Sequence, residues 1–261
     1  MVRLIICILT LALATTPTYA SDNEPPERIP VLNYHSIMSQ EFYYPINVNN
    51  PWILSEEAFC RQMRFLYENN FTTLTAQQLK DFLFHGGTLP PNPVILTFDD
   101  GYLDNYLFAA PILRQFGFTG MMFLITSAFP ETTPQMTAFP IQFMSLTEIN
   151  ASKDVFQFGS HTHDMHRNIN NRPALRVESV ANIRVDIRKS FDNAPMTFKG
   201  FAYPFGAYSD AAISALKEEG VQFAFSTRWG TIYRDTNPFL LPRFCVTSEW
   251  TMEFFESLLL P

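Results

Sequence analysis

Pro93-Val94-Ile95-Leu96-Thr97-Phe98-Asp99-Asp100-Gly101 is a short apolar run that ends in two adjacent carboxylates and a glycine. Such a run, bounded by turn residues, is the pattern of a strand buried on both faces in a parallel sheet. The flanking sequence supports that reading. Residues 29–34 are strand-like, with Pro30 near the start, where a missing N–H is tolerated. Ser55 can cap a helix that has Glu56 and Glu57 in its first turn and Phe59, Met63 and Leu66 on one face. Thr75-Ala76-Gln77-Gln78 matches a capping box. Residues 104–116 read as a helix stopped by Gly117, 118–125 and 156–160 as strands, 172–191 as an amphipathic helix and 198–203 as a strand. Ser209 caps a helix that stops at Gly220, and strands at 221–226 and 240–246 close the series. Residues 127–145, with Pro130, Pro134 and Pro140, read as irregular. Strands alternating with helices predict an α/β fold built on a parallel sheet or barrel, with chemistry where strands end.

Of the 261 residues, 47% are hydrophobic and 16% charged, which excludes a disordered chain. A net charge of −7 argues against binding to a phosphate backbone. Three cysteines are too few for a disulfide scaffold or a multi-cysteine zinc module. Arg3, the apolar run 4–14 and Thr18-Tyr19-Ala20 read as a signal peptide over 1–20, followed by a tail over 21–28 and one domain over 29–261. Beyond the signal peptide no stretch is apolar and long enough to span a membrane. The expected location is therefore extracytoplasmic, either secreted or periplasmic. Cleavage would leave Cys60 and Cys245, between which an oxidising compartment would permit a bridge.

Three segments carry candidate chemistry. Asp99 and Asp100 follow the apolar strand, and burying like charges side by side is costly unless a cation or proton divides their roles. Gly159-Ser160-His161-Thr162-His163-Asp164-Met165-His166 holds three of the five histidines just past another strand. Neutral imidazoles suit zinc, nickel, cobalt or iron(II). An extended segment would put His161 and His163 on one face, whereas a turn would bring His161 and His166 together. One Asp with two His and open positions is a catalytic rather than a structural metal pattern. In Tyr203-Pro204-Phe205-Gly206 a strand runs into a sharp loop that can aim backbone N–H groups at an oxyanion, or simply connect to the next helix.

Together, TFDDG, the SHT-plus-His segment and YPFG resemble the first three motifs of the polysaccharide deacetylase family, carbohydrate esterase family 4 with its NodB-homology domain. The resemblance runs over about residues 30–246. It implies a distorted (β/α)7-type barrel, one divalent metal ion and N-deacetylation of N-acetylated sugars. Carried onto this chain, it implies Asp99 as catalytic base, Asp100, His161 and His166 as metal ligands, and the Phe205 N–H as oxyanion donor. His163 matches no family role.

Two departures refine the resemblance. The histidines are spaced His-x4-His rather than His-x3-His, and no histidine follows His166 to serve as the usual late general acid. His85 lies in a loop, HGGTLPP, whereas His35 ends the first strand in Val31-Leu32-Asn33-Tyr34-His35-Ser36. The early YH segment is similar to a rearranged subgroup that deacetylates poly-β-1,6-N-acetylglucosamine, and it implies His35 as the acid. Arg243 is either a partner near the site or a surface cation. Tyr43, Tyr44, Trp52 and Tyr208 lie in predicted loops, as sugar-stacking rings or as ordinary surface and core residues.

The implied partner is an N-acetylated polysaccharide substrate, the chain is expected to be a monomer, and no nucleic acid partner and no membrane span in the mature chain are expected. Competing readings are a peptidoglycan or chitin-oligomer deacetylase, a secreted glycan-binding protein with a degenerate site, and a metal phosphoesterase. The last would normally need more carboxylates or a second metal.

Overall fold

In the computed structural model the strand that ends in Asp99 and Asp100 lies between two parallel neighbours, pairing Val31–Tyr34 on one side and Gly120–Leu124 on the other. Residues 27–46, 50–137 and 139–260 are described; the predicted signal peptide over 1–20 and all but the end of the predicted tail lie outside them. In chain order the elements are β1 (Val31–Tyr34), β2 (Ser36–Met38), α1 (Gln40–Ile46), β3 (Ile53–Ser55), α2 (Glu56–Glu68), β4 (Thr72–Thr73) and α3 (Ala76–Phe84). Next come β5 (Pro93–Phe98), α4 (Ala110–Phe116), β6 (Gly120–Leu124), α5 (Leu146–Ala151), β7 (Phe156–Ser160), β8 (Asn168–Ile169) and β9 (Arg172–Pro173). The chain ends with α6 (Val180–Asp192), β10 (Gly200–Ala202), α7 (Asp210–Glu218), β11 (Phe223–Phe225), β12 (Phe244–Cys245) and α8 (Met252–Leu259).

The main sheet runs β11-β10-β7-β6-β5-β1-β12, all parallel, with β4 added beside β5. A single parallel bridge, Phe225 to Leu241, joins the two ends. The result is the predicted distorted (β/α) barrel, thin at that seam. Alternation along each strand sorts the side chains into two cores. Leu32, Tyr34, Leu96 and Phe98 point out to α2 and α4. Val31, Ile95, Met121, Phe123, Ala202, Phe225 and Leu241, drawn from all round the ring, fill the interior, and Leu79 and Phe82 of α3 close its base. Going up β1 and β5, the inward positions change from Val31 and Ile95 to Asn33 and Thr97, so the top of the barrel is polar.

Several local expectations hold. Ser55 accepts from Ala58 N–H at 3.2 Å, and Thr75 with Gln78 forms a reciprocal capping box. Others need correction. The helix predicted over 172–191 starts only at Val180. Arg172 and Pro173 pair with β8 instead, a 3₁₀ turn follows, and Ser179 caps the helix proper. The helix over 104–116 opens with a wide π-turn at Asn105–Ala109, and α4 takes over where Pro111 has no N–H to donate. Tyr43 and Tyr44 belong to α1 rather than to a loop. Cys245 carries a free thiol, so the Cys60–Cys245 bridge is not formed. Among the described residues no helix is long and apolar enough to cross a membrane.

Candidate active site

The C-terminal ends of β1, β5, β7 and β10 carry His35, Asp99 and Asp100, His161 and the Phe205 loop into one cavity of about 510 Å³. Barrel geometry explains this convergence, because every parallel strand points the same way and delivers its next residue to the same rim.

Asp99 is buried, and Arg243 grips it from β12's approach: Nη1 donates to Oδ1 and Nη2 to Oδ2, each at 2.8 Å. Asn33 Nδ2 donates to Oδ2 at 3.2 Å, and the Asn33 side-chain oxygen accepts from Arg243 at 2.8 Å. Burial by itself would raise the Asp99 pKa; the Arg243 guanidinium overrides it and holds the carboxyl well below the usual carboxylate range. Three bonds use three of about four acceptor positions of the carboxylate, so Asp99 keeps room to accept one more proton donor from the cavity.

Asp100 takes a left-handed backbone, φ 73°, and turns its carboxylate away from Asp99's partners toward two imidazoles. Its Oδ1 lies 3.5 Å from His161 Nε2 and 3.4 Å from His166 Nε2. That oxygen is buried and has no hydrogen-bond partner in the protein. The chemistry of the three groups fits a cation. His161 Nδ1 lies 2.8 Å from the Ala202 carbonyl, which only an Nδ1–H can satisfy, so Nε2 presents its lone pair to Asp100. Burial pushes the His161 pKa down to about 4, which keeps the ring neutral. The ligand atoms of Asp100, His161 and His166 all fall within 4.8 Å of one another, an N₂O set suited to a borderline divalent metal.

Of the two arrangements open to the histidine segment, the chain takes the turn. Thr162, β-branched, sits at φ 78° and bends the backbone so that His166 swings back over His161, ring centroids 5.1 Å apart. His163 points elsewhere, its Nδ1 2.9 Å from Thr126 Oγ1. Asp186 of α6 braces this loop. Its two oxygens accept the backbone N–H groups of His163 and Asp164, at 2.8 and 2.7 Å.

Phe205 lies in a single 3₁₀ turn, Pro204–Gly206, at φ 59°. Its N–H belongs to the first turn, where the helix itself offers no acceptor. Gly206, at φ 63°, is required there, since a Cβ would stand 1.9 Å from Thr227 Oγ1. Left-handed non-glycine residues cost about 1–3 kcal/mol each and concentrate at functional sites; Asp100 and Phe205 are two of them lining one cavity, and Thr162 directly follows His161, which also lines it.

His35 also lines the cavity. Its Nδ1 is buried without a partner in the protein, Trp52 packs on the ring at 4.9 Å, and Asn105 Nδ2 ties down the His35 carbonyl at 2.6 Å. His85 caps the far end of α3 and is absent from the cavity lining.

Thus the predicted site residues Asp99, Asp100, His161, His166, His35 and Phe205 all border one space. Sequence reasoning passed over Asn33, Asp186 and the packing of Trp52 on His35. Two of these left a trace: Asn33 is a polar residue inside a buried strand, and Asp186 falls on the apolar side of its helix between Ile183 and Ile187. Arg243 is no surface cation; it is fully buried and serves Asp99.

Comparison with known proteins agrees with this picture. A YxkH protein of Bacillus subtilis (strain 168) is 29% identical over 84% of this chain and 72% of its own length. A poly-β-1,6-N-acetyl-D-glucosamine N-deacetylase of Staphylococcus aureus (strain MRSA252) is 26% identical over 88% of this chain and 84% of its own. The structure of the Streptococcus pyogenes deacetylase PplD, in complex with acetate, superposes with a TM-score of 0.75 at 22% identity, covering 91% of this chain and 100% of that one, which establishes the shared fold. The polysaccharide deacetylase family profile matches residues 86–224, more than half of the chain. The chain belongs to the polysaccharide deacetylase family.

Proposed function

We propose that the chain deacetylates poly-β-1,6-N-acetylglucosamine outside the cytoplasm, with Asp99, His35 and the Phe205 N–H acting on the acetamide and Asp100, His161 and His166 holding one divalent metal. The unpartnered, buried Asp100 Oδ1 facing two imidazole nitrogens carries the metal assignment. The polymer assignment is supported by a histidine placed at the front of the chain yet inside the cavity, and by the similarity to the Staphylococcus aureus enzyme over 84% of that enzyme's length.

A metal at this position supplies Lewis acidity to the acetamide carbonyl and lowers the pKa of water. The protein's own groups do the rest. Asp99, ionised and fixed by Arg243, takes a proton from the water whose oxygen bonds to the carbonyl carbon. The Phe205 N–H donates to the carbonyl oxygen as it gains charge. His35, protonated, gives its proton to the sugar nitrogen as the C–N bond breaks. The immediate products are acetic acid and a free glucosamine unit, with Asp99 left protonated and His35 neutral; loss of the acetic acid proton to solvent gives acetate, and passage of the Asp99 proton through solvent to His35 restores both groups.

The test is acetate release from β-1,6-linked and β-1,4-linked N-acetylglucosamine oligomers by protein stripped with EDTA and restored with zinc, cobalt or nickel. Metal-dependent release from the β-1,6 substrate is expected. Release from β-1,4 oligomers alone would keep the chemistry and overturn the polymer. Tight binding of either oligomer without release would make the protein a glycan binder instead.

A further inference from the structure

Outside the cavity, the most conspicuous unexplained feature is a cluster of aromatic rings on the outer rim. Trp229 is 58% exposed and Phe254 41% exposed, although large apolar rings normally seek cover. They come from separate segments, the loop after β11 and the helix α8, with Trp250 beside them. Trp229 and Phe254 lie nearly parallel, 29° apart with centroids at 6.1 Å, and Trp250 stands edge-on to Phe254 at 5.0 Å. Trp229 also packs on the buried Phe244 at 4.8 Å. The rings therefore hold one another rigid while leaving apolar surface in water. Singly exposed rings need no explanation, but a contiguous patch marks a binding surface.

Two connections join this patch to the cavity. Thr227, two residues before Trp229, lines the cavity. On the other side, Ser248 N–H bonds the Pro51 carbonyl at 2.9 Å, between Asn50 and Trp52, which also line it. The patch is thus built on the same chain segments that line the site. A polymer with one unit in the cavity must lay its neighbouring units along that rim. The apolar C–H face of a pyranose ring suits the negatively polarised face of an aromatic ring, and indole N–H groups can donate to sugar hydroxyls.

We propose that Trp229, Trp250 and Phe254 form a stacking platform for the hexopyranose units that flank the one being deacetylated. This deepens the polysaccharide reading above and rests on it. The platform makes long chains better substrates than short ones by adding contacts remote from the reacting bond.

The experiment compares kcat/KM for a disaccharide and a long N-acetylglucosamine oligomer in the wild type, Trp229→Ala, Trp229→Phe and Phe254→Ser. The wild type is expected to favour the long oligomer. Trp229→Ala and Phe254→Ser should each cut that preference about tenfold, mostly through KM, and Trp229→Phe should keep most of it. A preference intact in Trp229→Ala, or absent in the wild type, would overturn the platform. So would a dimer that dissociates in Trp229→Ala with the preference unchanged, which would assign the face to a second copy. If the wild type releases no acetate from either substrate, the catalytic reading fails on its own. Calorimetric binding of the long oligomer then decides the platform: about tenfold weaker binding in Trp229→Ala supports it, and equal binding overturns it.

Discussion

Arg243 and Asp99, 144 residues apart in the chain, meet in a buried two-pronged contact with both N–O distances at 2.8 Å. The fork-to-fork geometry fixes the carboxylate in direction as well as in charge. Removing one member of a buried pair leaves the other charge uncompensated, which costs about 3–5 kcal/mol. Arg243→Met should therefore lose stability of that order in urea unfolding. Arg243→Lys, which keeps the charge and loses the fork, should recover only part of it and should turn over more slowly than wild type.

His35 is assigned the proton that the leaving amine needs. His35→Gln should lower kcat on the sugar acetamide by about 10²–10⁴. On an aryl ester, whose leaving group departs as a stable anion, the same variant should lose far less. Equal losses on both substrates would remove His35 from that role and leave it a structural partner of Trp52.

How much of this was legible in sequence follows from how each residue is recognised. The paired Asp99 and Asp100 announce themselves because carboxylates after a buried apolar strand are expensive. The histidine segment is equally visible, but not its fold: the left-handed Thr162 decides between His163 and His166, and no local propensity favours that conformation for threonine. Arg243 was visible only as a cation near a strand, since its partner is set by the long-range pairing of β12 with β1. Asp186 was hidden for another reason. It binds backbone N–H groups, and backbone leaves no signature in the identity of the partner. The α5 helix, just past the proline-containing stretch 127–145, carries a full capping box of Ser145 and Glu148 but is too short to show an apolar periodicity of its own.

Asp186 leads to a prediction about the loop rather than the reacting atoms. Asp186→Ala should orphan two backbone donors and cost about 2–5 kcal/mol in unfolding experiments. Because the loop carries His166, metal affinity should fall as well, by about 10–100-fold. Asp186→Asn, which retains an acceptor oxygen, should lie between the two.

Asp104 sets a pH dependence of stability. Its carboxyl is fully buried with Ser36 Oγ at 2.5 Å, and burial pushes its pKa up to about 7. An unfolded aspartate ionises near pH 3.9, so between about pH 4 and about pH 7 the folded protein holds a proton that the unfolded chain has lost. Unfolding then releases a proton, and stability falls as pH rises through that window. Asp104→Asn removes the effect. The stability of the variant relative to wild type should increase between about pH 3 and about pH 8 by up to about 4 kcal/mol. A flat difference across this range would mean that Asp104 titrates in the folded protein as it does in the unfolded chain.

The assignment of separate duties to Asp99 and Asp100 is tested most directly by measuring metal content and acetate release together in Asp99→Asn. Metal at the wild-type ratio is expected, with acetate release at least about 10²-fold slower. Acetate release at the wild-type rate would contradict it.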